Sequence, residues 1–127
     1  MPMREARPPR VLVVDDEARV RDVLCDALET WGLAADSAAD SAQALELFAR
    51  GDYDLVLTDF LMPGGSGLEL IEGVRTADPS VAVIMLTASS ADLDAPSRRL
   101  EFAVLRKPLG FDGLRVAVSE ALGRRSR

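Results

Sequence analysis

The chain has 127 residues, enough for one domain with one buried core, and 48% of them are hydrophobic, an ordinary share for a globular protein. Its formal net charge of −6 argues against a nucleic-acid-binding surface, because phosphate contacts need clustered Lys and Arg. The absence of histidine excludes Ser-His and Cys-His catalysis, histidine-bearing zinc sites and a phosphohistidine on this chain, and the single cysteine, Cys25, excludes an internal disulfide.

Residues 1–9 read as a frayed polar tail, rich in proline and arginine and without the apolar stretch of a signal peptide. The short apolar run 11–14 follows two prolines and suits a strand buried on both faces. Val20, Val23, Leu24, Ala27, Leu28 and Trp31 then recur at helical spacing, and Gly32 marks the stop. Cys25 lies among these residues, which suits core packing, and a lone cysteine suits a reducing compartment. The stretch 33–38 reads as a weaker, more polar edge strand. Asp40 and Gln43 form a capping box for a helix carrying Ala44, Leu45 and Phe48, ended by Gly51.

Leu55, Val56 and Leu57 predict a third strand. After a glycine-rich loop, Leu70, Ile71 and Val74 mark a third helix, which stops before Asp78-Pro79 because proline disfavours a helical residue ahead of it. The β-branched run 81–86 predicts a fourth strand. The stretch 89–101, with Pro96 in its middle, is ambiguous. A fifth strand is expected over 102–105, and Leu114, Ala117, Val118, Ala121 and Leu122 give an amphipathic last helix. The basic cluster Arg124-Arg125-Ser126-Arg127 reads as a solvated helix end whose cations favour the C-terminal dipole. No apolar run approaches the roughly 20 residues that span a bilayer.

Five βα units in one short chain imply a doubly wound parallel sheet with helices on both faces and right-handed crossovers. Ligands of such sheets sit at the carboxyl ends of the strands. The expected ends carry Asp15-Asp16 on strand one, Thr58-Asp59 on strand three, Thr87 on strand four and Lys107-Pro108 on strand five. Taken singly, each has a bland explanation: an acidic pair after a strand is often a helix start, with Asp15 or Asp16 as the cap. Together they form a constellation. Two unit charges about 5 Å apart at an effective dielectric near 20 repel by roughly 3 kcal/mol, and a divalent cation relieves that repulsion. Two or three carboxylates with water completing the shell suit Mg²⁺. Lys107 is a compact cation for a phosphoryl oxygen and Thr87 offers a hydroxyl. A carboxylate nucleophile needs no general base.

The stretches 11–17, 59–70 and 86–88, with Lys107-Pro108, resemble the hallmark motifs of bacterial response-regulator receiver domains. The resemblance covers about residues 10 to 123, with 1–9 as the tail and 124–127 as the basic end. It implies a flavodoxin-like (βα)5 fold with strand order 2-1-3-4-5. It implies that Asp59 accepts a phosphoryl group from the phosphohistidine of a sensor histidine kinase or a histidine phosphotransfer protein, in the cytoplasm, and that a protein-interaction surface then switches. Asp15, Asp16, Asp59 and the backbone carbonyl of Leu61 would hold Mg²⁺, or Mn²⁺ in its place, and Thr87 and Lys107 would contact the phosphoryl group. Met62, Pro63 and the glycines would shape the loop after the acceptor. The domain would assist its own phosphorylation and dephosphorylation without being an enzyme in its own right, and would touch neither nucleic acid nor membrane.

Two departures bear on the readout surface. The family's usual aromatic switch residue, three positions before the lysine, is Val104 here. The span from Thr87 to Lys107 is also about two residues short, the shortfall lying near Pro96. The rival functions are a pseudo-receiver acting as a constitutive interaction module and a nucleotide- or flavin-binding protein on the same fold. The last lacks the glycine-rich phosphate loop after strand one.

Overall fold

The computed structural model describes residues 7–62, 65–108 and 110–125. The start of the expected tail, Pro63 and Gly64 of the loop after Asp59, and the final two residues of the basic end lie outside the described residues.

In chain order the elements are β1 (Arg10–Val14), α1 (Ala18–Thr30), β2 (Ala34–Ala38), α2 (Ser41–Arg50) and β3 (Leu55–Thr58). A small ribbon, β4 (Leu61–Met62) with β5 (Gly65–Ser66), leads into α3 (Gly67–Ala77). Then come β6 (Ala82–Thr87), α4 (Asp94–Leu100), β7 (Ala103–Arg106) and α5 (Phe111–Arg125). Five strands form one sheet in the order β2-β1-β3-β6-β7, and every neighbouring pair is parallel. Counting this sheet alone, the order is the expected 2-1-3-4-5, and the fold is flavodoxin-like.

Alternation along each strand divides the core in two. Leu12 and Val14 of β1, Val56 of β3, and Val83 and Met85 of β6 pack with Ala44, Leu70, Ile71, Val74 and Leu100 from α2, α3 and α4. Val11, Val13, Leu55, Leu57, Ile84 and Leu86 pack with Leu24 and Leu28 of α1 and Leu114, Val118 and Ala121 of α5. The central strands are covered on both faces, which explains their unbroken apolar runs. Each fully buried Val or Leu contributes about 1.5–3 kcal/mol. The outer strand β2 is the more polar one, as expected.

The helix ends show where local chemistry was legible. Gly32 has φ +88°; its N–H donates to Glu29 O at 3.0 Å, and the Leu33 N–H donates to Leu28 O at 3.0 Å. That is the Schellman closure a glycine permits. Asp40 caps α2 by accepting from the Gln43 N–H at 2.8 Å, but the Gln43 side chain accepts from the Ala39 N–H, one residue short of a reciprocal box. The full box belongs to α3, where Ser66 and Glu69 bond each other's backbone. Neither Asp15 nor Asp16 caps α1: the N-cap is Glu17, with no side-chain cap bond. The ambiguous stretch contains the short helix α4, and Pro96 sits in its first turn, where the missing N–H would have had no helical partner.

Candidate functional site

Strand β1 lies between β2 and β3, so the chain leaves β1 on one side and returns on the other. The carboxyl ends of β1 and β3 flank the resulting crevice. Asp15 follows β1 and Asp59 follows β3, and each backbone N–H still joins the ladder, Asp15 to Ala38 O at 3.2 Å and Asp59 to Val14 O at 3.1 Å. The sheet therefore aims both carboxylates from fixed backbone. With Asp16 they form a cluster whose ligand oxygens all lie within 4.8 Å of one another. Asp15 is buried, Asp59 half-buried and Asp16 exposed.

Lys107 reaches this cluster from the end of β7. Its Nζ lies 3.6 Å from Asp59 Oδ2 and 3.9 Å from Asp15 Oδ2. The other Asp59 oxygen, Oδ1, accepts from the Phe60 N–H at 2.6 Å. Asp15 Oδ1 accepts from the Glu17 N–H at 2.9 Å. Burial is the main cause that raises the Asp15 carboxyl above its ordinary pKa; the Glu17 bond and Lys107 oppose this, while the charges of Asp59 and Asp16 add to it. One lysine does not offset three carboxylates, so the donor set suits a hard divalent cation with oxygen ligands.

Thr87 is buried at the end of β6, beside Arg106 of β7 in register. Its Oγ1 accepts from the Ser89 N–H at 3.0 Å. Leu61 opens the ribbon after Asp59, its side chain turned to solvent. Met62, the second residue of β4, is buried. The Lys107–Pro108 peptide is cis. Gly67 begins α3 against the site: its N–H donates to Phe60 O at 2.7 Å, and a Cβ there would fall 2.2 Å from Asp59 O. Only glycine allows that approach.

The acidic, hydroxyl and cationic residues singled out from the sequence thus stand at neighbouring strand ends. Cys25 is half-buried among the residues of the α1 and α5 layer, and burial pushes its thiol up, which suits packing and not reactivity. One residue at this end went unnoticed. Arg106 donates to the carbonyl oxygens of Ser89 and Ala91, in the loop after Thr87. An arginine beside Lys107 and on the same strand face as Val104 was the available signal.

A doubly wound sheet with clustered acids and a lysine at its switch point defines a phosphoryl- or metal-handling class of site. The family model of the response regulator receiver domain matches residues 11–119, and the chain belongs to that family. It is 38% identical over 116 residues to the response regulator protein PilR of Pseudomonas aeruginosa, covering 89% of this chain and 26% of PilR. It is 32% identical over 116 residues to sporulation initiation phosphotransferase F of Bacillus subtilis, covering 89% of this chain and 93% of that protein. The chain thus spans about a quarter of PilR but nearly all of the smaller relative. Among solved structures, TrrA of Thermotoga maritima, in complex with Mg(2+)-BeF, is 37% identical with a TM-score of 0.81, covering 89% of this chain and 98% of TrrA. A CheY-like receiver from Methanospirillum hungatei is 27% identical with a TM-score of 0.89, covering 94% of this chain and 97% of that one. Among the described residues, no helix is long and apolar enough to cross a membrane.

Proposed function

We propose that the chain is a cytoplasmic phosphorelay switch in which Asp59 takes a phosphoryl group from the phosphohistidine of a sensor kinase or a histidine phosphotransfer protein. The observation that supports this most directly is the convergence of Asp15, Asp16 and Asp59 within 4.8 Å, with Lys107 3.6 Å from Asp59. Asp15, Asp16, Asp59 and the Leu61 carbonyl would hold Mg²⁺, or Mn²⁺ in its place. When bound, the cation supplies charge neutralisation for the acids and for the transferring group. The crystal structure of TrrA in complex with Mg(2+)-BeF lends support from a relative.

In the transfer, an oxygen lone pair of Asp59 forms the new O–P bond. The P–N bond to the donor imidazole breaks, and its electron pair stays on nitrogen. The product is an acyl phosphate. Water attack at phosphorus later returns the carboxylate and releases inorganic phosphate. Asp59 Oδ1 is already steadied by the Phe60 N–H, and Oδ2 faces Lys107. Lys107 would exchange that carboxylate contact for a phosphoryl oxygen. The Thr87 hydroxyl, which accepts from Ser89, still has its own proton to donate to a second oxygen. In this way the domain would assist its own phosphorylation and dephosphorylation.

Intact mass after incubation with acetyl phosphate and Mg²⁺ tests the function. Wild type should gain one phosphoryl group and Asp59→Asn none. Robust modification of the variant, or an unmodified wild type with every donor tried, would sink it.

A further inference from the structure

Register partners in a parallel sheet stand side by side, and their side chains leave on the same face. Thr87 and Arg106 are such a pair at the carboxyl ends of β6 and β7. Val104, two residues before Arg106, packs against the layer built by α2, α3 and α4, so Arg106 leaves β7 on that side too. Its guanidinium extends over the end of β6. One nitrogen donates to Ser89 O and the other to Ala91 O, the latter at 2.9 Å. The same loop folds onto Thr87: the Ser89 N–H donates to Thr87 Oγ1 at 3.0 Å, and the Ala91 N–H donates to Ser89 Oγ at 3.0 Å. The Lys107 N–H holds the Thr87 carbonyl at 2.8 Å.

Thr87 is therefore held through its carbonyl by Lys107, the residue after β7, and through its hydroxyl by a loop that Arg106 straps to β7. A planar fork with donors spaced to meet two carbonyls does this; a lysine ammonium is a single point of attachment. Two residues beyond Ala91, buried Leu93 is the N-cap of α4, so the strapped loop leads straight into that helix.

Building on the phosphorelay function proposed above, we infer that Arg106 is a positioning residue for Thr87. It holds the 88–93 loop in the arrangement that aims the Thr87 hydroxyl at the phosphoryl group, and it ties that arrangement to the start of α4. The link between the site and α4 then runs through an arginine strap. Val104, small and stiff at χ1, takes no rotating part in it.

Calorimetry of beryllofluoride binding in the presence of Mg²⁺, of Mg²⁺ alone, and amide hydrogen exchange test this on the full chain, on Arg106→Ala and on Arg106→Lys. Arg106→Ala should bind beryllofluoride about 3- to 10-fold more weakly, the loss expected for charge-assisted bonds in a solvent-facing position. Its Mg²⁺ affinity should not change, and the amides of Ser89 and Ala91 should exchange faster. Arg106→Lys should recover only part of the beryllofluoride affinity. A merely structural Arg106 would lower thermal stability with beryllofluoride affinity intact, and that result, or unchanged exchange at both amides, overturns the inference. If wild type itself binds no beryllofluoride, or Asp59→Asn binds it equally well, the phosphorelay function falls instead.

Discussion

The Nζ of Lys107 lies 3.6 Å from Oδ2 of Asp59. Two unit charges about 4 Å apart attract by roughly 4 kcal/mol at an effective dielectric near 20, and solvent lowers that for a lysine 30% exposed. The same cation repels any metal held by Asp15, Asp16 and Asp59. Lys107→Met should therefore bind Mg²⁺ more tightly, by about two- to tenfold, while losing beryllofluoride affinity. Calorimetry separates the two effects, and weaker Mg²⁺ binding in the variant would remove Lys107 from the neighbourhood of the metal.

Asp16 is the exposed member of the acidic cluster and makes the smallest demand on the fold. Asp16→Ala should keep its thermal stability without metal and lose most Mg²⁺ affinity, because few protein ligands share the load. In wild type, Mg²⁺ at about 100 times its Kd should add about 2.7 kcal/mol of stability. Thermal melts with and without Mg²⁺ check both. An equal metal-induced rise in Asp16→Ala would exclude this carboxylate from the site.

Two glycines offer a matched pair. A Cβ on Gly67 would meet Asp59 O at 2.2 Å, which is backbone, whereas one on Gly73 would meet Leu45 Cδ2 at 2.9 Å, the tip of a side chain that can turn. Gly67→Ala should cost about 1–3 kcal/mol and weaken Mg²⁺ binding by moving Asp59. Gly73→Ala should cost less than that and leave metal affinity alone. Denaturant titrations and calorimetry on both variants make the comparison; equal metal affinities would show that α3 does not set the position of Asp59.

Tyr53, the single tyrosine, is buried, stacks on Phe48 with ring centroids 6.1 Å apart, and donates its hydroxyl to Asp36 Oδ2 at 2.8 Å. Burial first, then the bond to Asp36, pushes its phenol up to about 12. The folded state thus holds the proton more tightly than the unfolded chain. The stability this contributes is whole below about pH 10 and is lost as pH rises through about 12. Ultraviolet tyrosinate absorbance should show one step near 12 in the folded protein and near 10 in denaturant. A folded-state step near 10 would mean that neither the burial of the phenol nor its bond to Asp36 is kept in solution.

Trp31, the single tryptophan, closes α1 at the end away from the acids. The 13 residues of the helix span about 20 Å at 1.5 Å each. Arg115 of α5 lies over the indole, its Cζ 5.8 Å from the ring centroid. Mg²⁺ should therefore leave Trp31 fluorescence nearly unchanged, while Arg115→Ala should shift it. A large quench on adding Mg²⁺ to wild type would contradict the separation of the two ends of α1.

What the sequence made legible follows from the range of the forces involved. Apolar runs such as 11–14 and 81–86 are set by burial on both faces of the sheet, and Gly32 by a local backbone need, so each is readable without knowing the neighbours. The four strand-end groups were readable because a parallel sheet brings its carboxyl ends to one edge. The ribbon Leu61–Met62 with Gly65–Ser66 carried no periodic signal, being two residues a side. The box of Ser66 and Glu69 was a local pattern that could have been read. Pro96 left the stretch 89–101 ambiguous for a positional reason: in the first turn of α4 it interrupts no helical bond. The Arg106 contacts depend on how the loop after Thr87 folds back, and no spacing rule encodes that.

The two outer strands differ in character but share one property. In the middle of β2, Asp36 is fixed by the Tyr53 hydroxyl and by the Arg10 guanidinium at 3.0 Å. β7 ends in Arg106, whose guanidinium is tied down by the neighbouring loop. Both groups reach inward, Asp36 to Arg10 of β1 and Arg106 to the loop after β6, so each fastens an outer strand to its neighbour by a charge-assisted bond. Peeling either border strand from the sheet therefore breaks a side-chain tie as well as a backbone ladder, and the two ends of the strand order are clamped by the same kind of bond.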